Sequence, residues 1–328
     1  MRALIVGAGA VGQVYGLHLA RGGAEVSVYV RKRHAREAER GYDLFAIHSR
    51  TRREKRVFVP HAIVTDPAVL RGERFDQVWL CVPSTSLLDG SMDPMLDAVR
   101  MGKSAGASVV SLLPGTFVKE RLRGVVSEGQ LVFGIIGMQS YHAPLEGSSE
   151  PYELETGPGT AYFFPPGGAS MFSGVGDHAA RAVDALRMGG APARVVADAW
   201  VELGFSSALL MPQIAAIEAV GWSLDRFRRS AESEIAARAA REALSIVAAE
   251  THQPEPIYAE LVRPFVVRLA FGLIAPRLAP LDLEGFFRYH FGKVGAQTRM
   301  LFDEYLREGE ARGLPVDALR ELRSRLGD

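Results

Sequence analysis

Three glycines near the start of the chain have the spacing of a phosphate-binding loop. Gly7, Gly9 and Gly12 follow the apolar residues 3–6 and precede a stretch with the apolar periodicity of a helix. In a strand–turn–helix unit the first glycine permits a tight turn, the second lets the backbone approach a pyrophosphate, and the third allows close packing of helix on strand. The N–H groups at the start of the helix would bind the phosphates. We predict a dinucleotide site formed by Gly7, Ala8, Gly9, Ala10, Val11 and Gly12.

A basic cluster follows the second predicted strand, residues 25–30, where the adenosine ribose of a dinucleotide would lie. Sites for NAD(H) usually carry Asp or Glu about 20 residues past the first glycine. This chain has Arg31, Lys32 and Arg33 there. A guanidinium can bind a 2′-phosphate through two hydrogen bonds, whereas a carboxylate would repel it. We therefore predict NADP(H) as the cofactor, bound by Arg31 and Lys32, with a solvated basic turn as the alternative.

Further apolar runs indicate a sheet that carries these residues. Residues 78–82, 109–113 and 131–136 are the stronger strand candidates, and 44–48 and 57–59 are shorter ones. Apolar strands separated by helical segments predict an α/β, Rossmann-like, doubly wound parallel sheet covered on both faces. Ligands in such sheets bind beyond the carboxyl ends of the strands. This places four more residues in the predicted cofactor site: Pro83, Ser84, Pro114 and Gly115.

The second half of the sequence has a different character. Residues 150–176 are rich in Pro, Gly, Ser and aromatic residues, and a hairpin is predicted at 152–164. We read this region as the edge of the first domain and predict an NADP-binding domain over residues 1–172 and an all-α domain for substrate and dimerisation over 173–328. Helices are predicted at 178–188, from 198 to 211, and at 225–250, 283–310 and 316–326.

Composition describes an ordinary soluble protein. The 328 residues are 48% hydrophobic and 23% charged, with a formal net charge of zero, which argues against nucleic acid or an anionic membrane as the main partner. No signal peptide is recognised, and the single cysteine, Cys81, fits a reducing compartment, so a cytoplasmic location is expected. Residues 265–275 are apolar but too short to span a membrane. We interpret them as a buried helix or a homodimer interface. The basic run at 50–56 is expected to lie in a solvent-facing hairpin.

With these elements placed, most of the chain resembles the ketopantoate reductase family. The resemblance rests on the glycine loop with Gly16 and Arg31, on the pattern around Gly189, Asp198 and Trp200, and on the closing residues 313–315. It implies an NADP-dependent reductase with a Rossmann domain and a helical C-terminal domain.

Several polar groups of the family are replaced in this chain. Glu202 stands where the resemblance places a lysine, and Ser206 where it places an asparagine; Pro114 and Pro83 replace a cofactor-side asparagine and lysine. A substrate-binding glutamate falls at or near Gln297. The substrate is therefore expected to be a small molecule other than ketopantoate.

Reduction of a carbonyl requires a proton donor. If residues 289–297 are helical, His290, Lys293 and Gln297 lie at i, i+3 and i+7 and share a face. We predict Lys293 or His290 as the donor of a C=O reductase, and Ser206, Gln213 and Gln297 as substrate contacts. A surface lysine and a structural histidine are the alternative.

Two other functions stay open. Imine reduction passes through a cationic iminium, which a carboxylate such as Glu202 would stabilise; the alternative is that Glu202 is an exposed helix residue with no catalytic duty. The chain could also bind NADP(H) without turnover. No metal ligands are predicted. Cofactor oxidation with keto acids, ketones and cyclic imines, compared with cofactor binding alone, would separate these functions.

Overall fold

The computed structural model describes residues 1–113, 116–293 and 295–327. The chain separates into two compact units. The first, Met1–Ala143 with Thr156–Ala199, is the sheet unit; the second, Pro144–Glu155 with Trp200–Asp328, is the helical unit. The sheet unit thus continues past the boundary predicted at residue 172, because a strand that spans this residue and one later strand complete its main sheet.

The strands of the sheet unit form two sheets. They are β1 (Arg2–Val6), β2 (Glu25–Tyr29), β3 (Tyr42–Ile47), β4 (Arg53–Phe58), β5 (Ala62–Val64), β6 (Gln77–Leu80), β7 (Ser108–Ser111), β8 (Leu131–Ile135), β9 (Gln139–Ala143), β10 (Gly159–Phe163), β11 (Ser170–Gly174) and β12 (Ala193–Val195). In the described residues the main sheet has the order β12-β11-β8-β7-β6-β1-β2-β5. All its pairs are parallel except β8 with β11.

This arrangement confirms the predicted doubly wound sheet. From β1 the chain builds outward through β2 and β5 on one side and β6 to β8 on the other, so the order reverses at β1. Such a reversal opens a crevice at the carboxyl ends of the central strands. Ala3 and Ile5 belong to one core, and Leu4 and Val6 to another. Burial on both faces explains why the β1 sequence is continuously apolar.

A second sheet, in the order β4-β3-β10-β9, was not separated from the first by sequence reasoning. Strands β3 and β4 pair as an antiparallel hairpin that carries the basic run, as predicted. The hairpin predicted at 152–164 is wrong. Pro151–Leu154 is a helical turn, and β10 pairs with β9 and β3 instead. Proline favours the first turn of a helix, since its missing N–H has no partner there.

Helices cover the main sheet. They are α1 (Ala10–Arg21), α2 (Ala35–Arg40), α3 (Pro67–Leu70), α4 (Thr85–Leu88), α5 (Asp93–Met101), α6 (Thr116–Arg123) and α8 (His178–Met188). The short turn α7 (Pro151–Leu154) belongs to the helical unit. Tyr15 of α1 and Leu186 of α8 lie in the core with Ile5, and Met95 of α5 and Val118 of α6 lie in the core on the opposite face.

The helical unit contains α9 (Ala199–Ala219), α10 (Leu224–Arg229), α11 (Glu232–Thr251), α12 (Pro264–Leu269), α13 (Ala275–Leu278), α14 (Leu283–Lys293), α15 (Gly295–Ala311) and α16 (Asp317–Arg325). A π-helical segment, Ala270–Ile274, joins α12 to α13. Alanine-rich α11 packs against α15 and α16. Its Glu242 accepts hydrogen bonds from the backbone N–H groups of Ala318 and Leu319, which satisfies donors at the start of α16. The predicted helix at 283–310 is described as α14 and α15.

Helix α9 is long and apolar enough to cross a membrane by length and composition. A core helix of a soluble protein meets the same criterion. Gln213 in this helix is completely buried, and its side-chain N–H donates to the carbonyl of Ala236 in α11 at 3.3 Å. This polar contact joins α9 to α11 within the helical unit.

Candidate functional site

The turn after β1 has a backbone that only glycine fits. Gly7 has a φ of +91°, in the left-handed region that other residues avoid, and a Cβ there would lie 2.6 Å from Val82 Cγ1. A Cβ on Gly12 would collide with the carbonyl oxygen of Gly7. These two glycines therefore let helix α1 start directly against the end of β1.

Gly9 has the opposite environment. A Cβ at this position would meet no atom within 4 Å. Gly9 is exposed and forms the N-cap of α1, and its carbonyl accepts from the Gln13 N–H at 2.9 Å. The N–H groups of the first helical turn have no intrahelical acceptors and carry the positive end of the dipole. The first turn contains no acidic side chain. An open, positively polarised space at a helix start fits a pyrophosphate.

Gln13 holds this loop in place, and sequence reasoning did not single it out. Its side chain is 3% exposed, and its Nε2 donates to the Ala8 carbonyl at 2.9 Å. Its Oε1 accepts from the Thr160 hydroxyl at 2.6 Å. The glycine loop is thereby fixed to strand β10. The signal in the sequence that could have indicated this role is that Gln13 is a polar residue on an otherwise apolar face of helix α1.

The neighbouring strands end at the same edge as β1. Val6 is in register with Tyr29 of β2 and Leu80 of β6. The Gly7 N–H donates to the Tyr29 carbonyl at 3.0 Å, and the Cys81 N–H donates to the Val6 carbonyl at 2.9 Å. This register places Arg31, Pro83 and Ser84 at the glycine loop's end of the sheet; Pro114 and Gly115 lie outside the described residues.

The basic turn after β2 is open to solvent. Arg31 and Lys32 are both exposed, and within the described residues neither side chain makes a hydrogen bond or an ion pair. The Arg33 Nε–H donates to His34 Nε2 at 3.0 Å. Asp89, after α4, lies near Arg31; hydrogen bonds from Ser91 and then the Arg31 charge lower the pKa of its carboxyl. Arg31 is thus available to an incoming anion and close to one carboxylate.

In the helical unit, the three polar candidates of α9 have different environments. Glu202 is half-buried, Ser206 is exposed, and Gln213 is fully buried. Gln213 donates to backbone carbonyls of its own unit, and its Oε1 has no partner among the described residues.

Tyr258 is a neighbour of Glu202 that sequence reasoning missed. It follows Pro256 in a short 3₁₀ segment, Ile257–Leu261, and is 39% exposed. Partial burial and then the Glu202 charge raise the pKa of its hydroxyl. The phenol therefore stays protonated at neutral pH and can donate a hydrogen bond. Only the fold brings it close to Glu202, since 56 positions separate the two in sequence.

The candidates near residue 290 lie on two helices. His290 is stacked on Phe286 with 5.3 Å between ring centroids, and this packing and then the Lys293 charge lower the pKa of the imidazole. Lys293, the last residue of α14, is exposed and places its Nζ 3.6 Å from the centroid of the Tyr289 ring. Gln297 is exposed on α15. The lowered pKa leaves the His290 imidazole neutral at pH 7.

Groups of three or more His, Cys, Asp or Glu side chains arranged to hold a metal ion are absent from the residues that the structure describes.

Comparison with known proteins supports the same interpretation of the fold. Residues 3–148 match the family model described as ketopantoate reductase PanE/ApbA. No curated protein matches the sequence. Among solved structures, a PanE/ApbA family ketopantoate reductase from Ralstonia eutropha JMP134 is similar, with 22% identity, a TM-score of 0.70, and coverage of 99% of this chain and 97% of that one.

Two further structures show the same fold. A D-mandelate dehydrogenase solved with NADH and anilino(oxo)acetate has 14% identity, a TM-score of 0.68, and 99% and 97% coverage of the two chains. A 2-dehydropantoate 2-reductase from Geobacter metallireducens GS-15 has 16% identity, a TM-score of 0.67, and 99% coverage of both chains. The predicted resemblance to the ketopantoate reductase family is confirmed by the match of residues 3–148 to its model and by the fold shared with these structures.

Proposed function

We propose that the protein is an NADP(H)-dependent oxidoreductase that reduces a C=O group of a small molecule other than ketopantoate. The observation that carries the proposal is the open space over Gly9 at the start of α1, at the same sheet edge as the exposed Arg31. The family domain supports a reductase in general. The similar D-mandelate dehydrogenase was solved with NADH, which is further support for a nicotinamide dinucleotide.

The basic turn selects the cofactor in this proposal. Arg31 and Lys32 have positive side chains at the position where the adenosine ribose of a dinucleotide on α1 would lie. The 2′-phosphate of NADP(H) would be a dianionic partner for the Arg31 side chain, which otherwise faces solvent. The nearby Asp89 carboxylate would repel the same phosphate. NADP(H) is therefore preferred over NAD(H) only if the attraction by Arg31 exceeds the repulsion by Asp89.

The bound cofactor would supply or accept a hydride at its nicotinamide ring. The protein must then supply the proton that neutralises the developing alkoxide. Of the two predicted donors the proposal favours Lys293, because the lowered pKa of His290 leaves that ring neutral at pH 7. The residues predicted to contact the substrate are Ser206, Gln213 and Gln297. The exposure of Ser206 and Gln297 suits this role better than the buried amide of Gln213.

A second candidate function is favoured by one observation. Glu202 is half-buried and has the protonated hydroxyl of Tyr258 nearby. A carboxylate in that setting would stabilise a protonated C=N group, with Tyr258 holding its orientation. This pair supports imine reduction by Glu202 as the alternative chemistry.

The test is cofactor oxidation at 340 nm with panels of keto acids, ketones and cyclic imines, run beside calorimetric titration of NADPH and NADH. Turnover of a carbonyl that falls at least about tenfold in Lys293→Ala supports carbonyl reduction. Turnover of cyclic imines that falls in Glu202→Gln supports the alternative. Tight NADPH binding without turnover of any panel member would identify a non-catalytic NADP(H)-binding protein, and absence of binding would overturn the proposal.

The same proposal includes a cytoplasmic location and a small-molecule substrate, without nucleic acid or membrane as partner. A homodimer is also proposed. It rests on exposed apolar side chains near the π-helical segment, chiefly Phe265 and Leu278, which are 73% and 76% exposed.

A further inference from the structure

A cavity lies at the opposite end of the main sheet from the glycine loop. It has a volume of about 780 Å³ and is bordered by the α1–β2 turn, the segments before β6 and β7, and α8. Its wall includes Gln77 and Ala107, at the amino ends of β6 and β7, whereas the predicted cofactor site lies beyond their carboxyl ends. Strands of four to five residues separate the two ends by roughly 15 Å.

Two basic side chains at the border of this cavity are free to contact an anionic group. Five charged side chains border the cavity, three of them basic: Arg74, Lys103, Arg181, Asp76 and Asp184. Two of the five are already engaged, because Arg181 bridges to Asp177 at 3.0 Å and Asp76 accepts from the backbone N–H of Arg2 at 2.8 Å. Arg74 and Lys103 are exposed, and within the described ranges neither side chain makes an ion pair. Two cations are thus free of ion pairs, and the carboxylates that border the cavity with them are Asp76 and Asp184.

The remainder of the wall is apolar or carries an unused donor. Phe75, Ala185 and Met188 border the cavity, and Met188 is 73% exposed. Gln77 is 1% exposed; its Oε1 accepts from Trp79 Nε1 at 3.0 Å, while its Nε2 has no partner among the described residues. A buried amide donor without an acceptor costs free energy unless a ligand or water supplies one. The wall therefore suits a molecule with both an apolar body and acceptor oxygens.

We propose that this cavity is a second ligand site, independent of the cofactor, for a small organic anion with an apolar body. The anionic group binds between Arg74 and Lys103, and the body lies against Phe75 and Met188. The site is separate from the proposed reductase function, since it uses no residue of the glycine loop or of the helical unit.

The probe is 8-anilinonaphthalene-1-sulfonate, titrated by calorimetry into the full chain with and without saturating NADPH. Its sulfonate and aromatic rings reproduce the proposed chemistry. Arg74→Gln with Lys103→Gln is expected to weaken one binding component about fivefold, as expected for two exposed ion pairs. The neutral analogue N-phenyl-1-naphthylamine should bind more weakly to the wild type and be insensitive to these substitutions.

A variant that fills the cavity gives an independent test. Gly106 borders the cavity, and a Cβ on it would meet no atom within 4 Å, so Gly106→Phe should enter the open space without displacing the backbone. Gly106→Phe should abolish the binding component that the substitutions at Arg74 and Lys103 weaken. Gly129→Phe is the matched glycine control, with its nearest neighbour at 3.9 Å, and Arg241→Gln on α11 is the matched charge control.

Three results would overturn the proposal: unchanged binding in both cavity variants, equal loss in the controls, or displacement of the probe by NADPH in the wild type. Equally tight binding of the neutral analogue would show that the site does not require an anionic ligand. Unfolding temperatures of all variants show whether Gly106→Phe still folds, and the two charge substitutions test the site even if it does not. Loss of turnover has no bearing on any of these outcomes.

Discussion

The carbonyl oxygen of Gly7 occupies the space that a Cβ on Gly12 would need. Because neither residue has a Cβ, the first turn of α1 packs directly against the end of β1. Gly9, between them, has open space on its Cβ side. The three glycines of one motif thus have two separable roles, close packing and access for a ligand.

This separation predicts different results for two alanine substitutions. Gly12→Ala must move the helix or the turn, and should lower the free energy of unfolding by about 1–3 kcal/mol, as overpacking does. Gly9→Ala should leave stability nearly unchanged and weaken NADPH binding, because its methyl group enters the space proposed for the pyrophosphate. Chemical denaturation and NADPH titration of both variants check this. Equal stability of the two variants would contradict the packing role of Gly12.

Arg31→Ala should weaken NADPH binding far more than NADH binding. Removal of a charge-assisted contact to a phosphate costs about 1.5–3 kcal/mol, or roughly tenfold to a hundredfold in Kd. Arg33→Ala is the control from the same turn. Asp89→Asn should have the opposite effect and modestly increase the affinity for NADPH. Equal losses for both cofactors in Arg31→Ala would remove the argument for the 2′-phosphate.

His18 makes stability depend on pH. The imidazole is 2% exposed, its Nδ1 lies 2.8 Å from the Gly189 carbonyl, and its Nε2 has no partner among the described residues. Burial lowers its pKa from 6.5 to about 4. Because the unfolded chain takes up this proton first, stability is fully present above pH 6.5 and falls as the pH drops towards 4. The loss approaches about 3 kcal/mol.

Urea denaturation between pH 7 and 4 measures this effect. His18→Gln should reduce the slope of stability against pH in that window, whatever its effect on absolute stability. The exposed His61, changed to Gln, should leave the slope as in the wild type. An unaltered slope in His18→Gln would assign the pH dependence to other groups.

Tyr258 and Glu202 should act together if the helical unit carries the imine chemistry. Tyr258→Phe and Glu202→Gln should each lower kcat, and the double variant should lose less than the product of the single effects, as coupled groups do. NADPH affinity should be unchanged in all three. Independent effects that multiply would show that the two side chains do not form a functional pair.

Homodimer formation should depend on the exposed apolar side chains near the π-helical segment. Phe265→Ser with Leu278→Ser should convert a dimer to a monomer in sedimentation velocity, because burial of these side chains is the proposed driving force. Val57→Ser, at a 55% exposed site on β4, is the control. A wild-type monomer at high micromolar concentration would exclude the dimer.

The sequence by itself determined the parts of this protein that rest on local spacing. The glycine loop, the apolar strands and the basic turn after β2 follow from short-range steric and hydrogen-bonding rules. The backbone conformation of Gly7 and the collision at Gly12 are the mechanical reasons for that spacing. The doubly wound sheet followed because each strand is buried on both faces.

Only the tertiary structure decided which distant residues meet. Strand β10 joined β3 and β9 in a second sheet, and β11 and β12 extended the main sheet beyond residue 172, since strand pairing is set by long-range contacts that local pattern does not encode. The support of the loop by Thr160 through Gln13, and the approach of Tyr258 to Glu202, arise in the same way. Burial also set the pKa of His18, a property that depends on its neighbours and not on its sequence position.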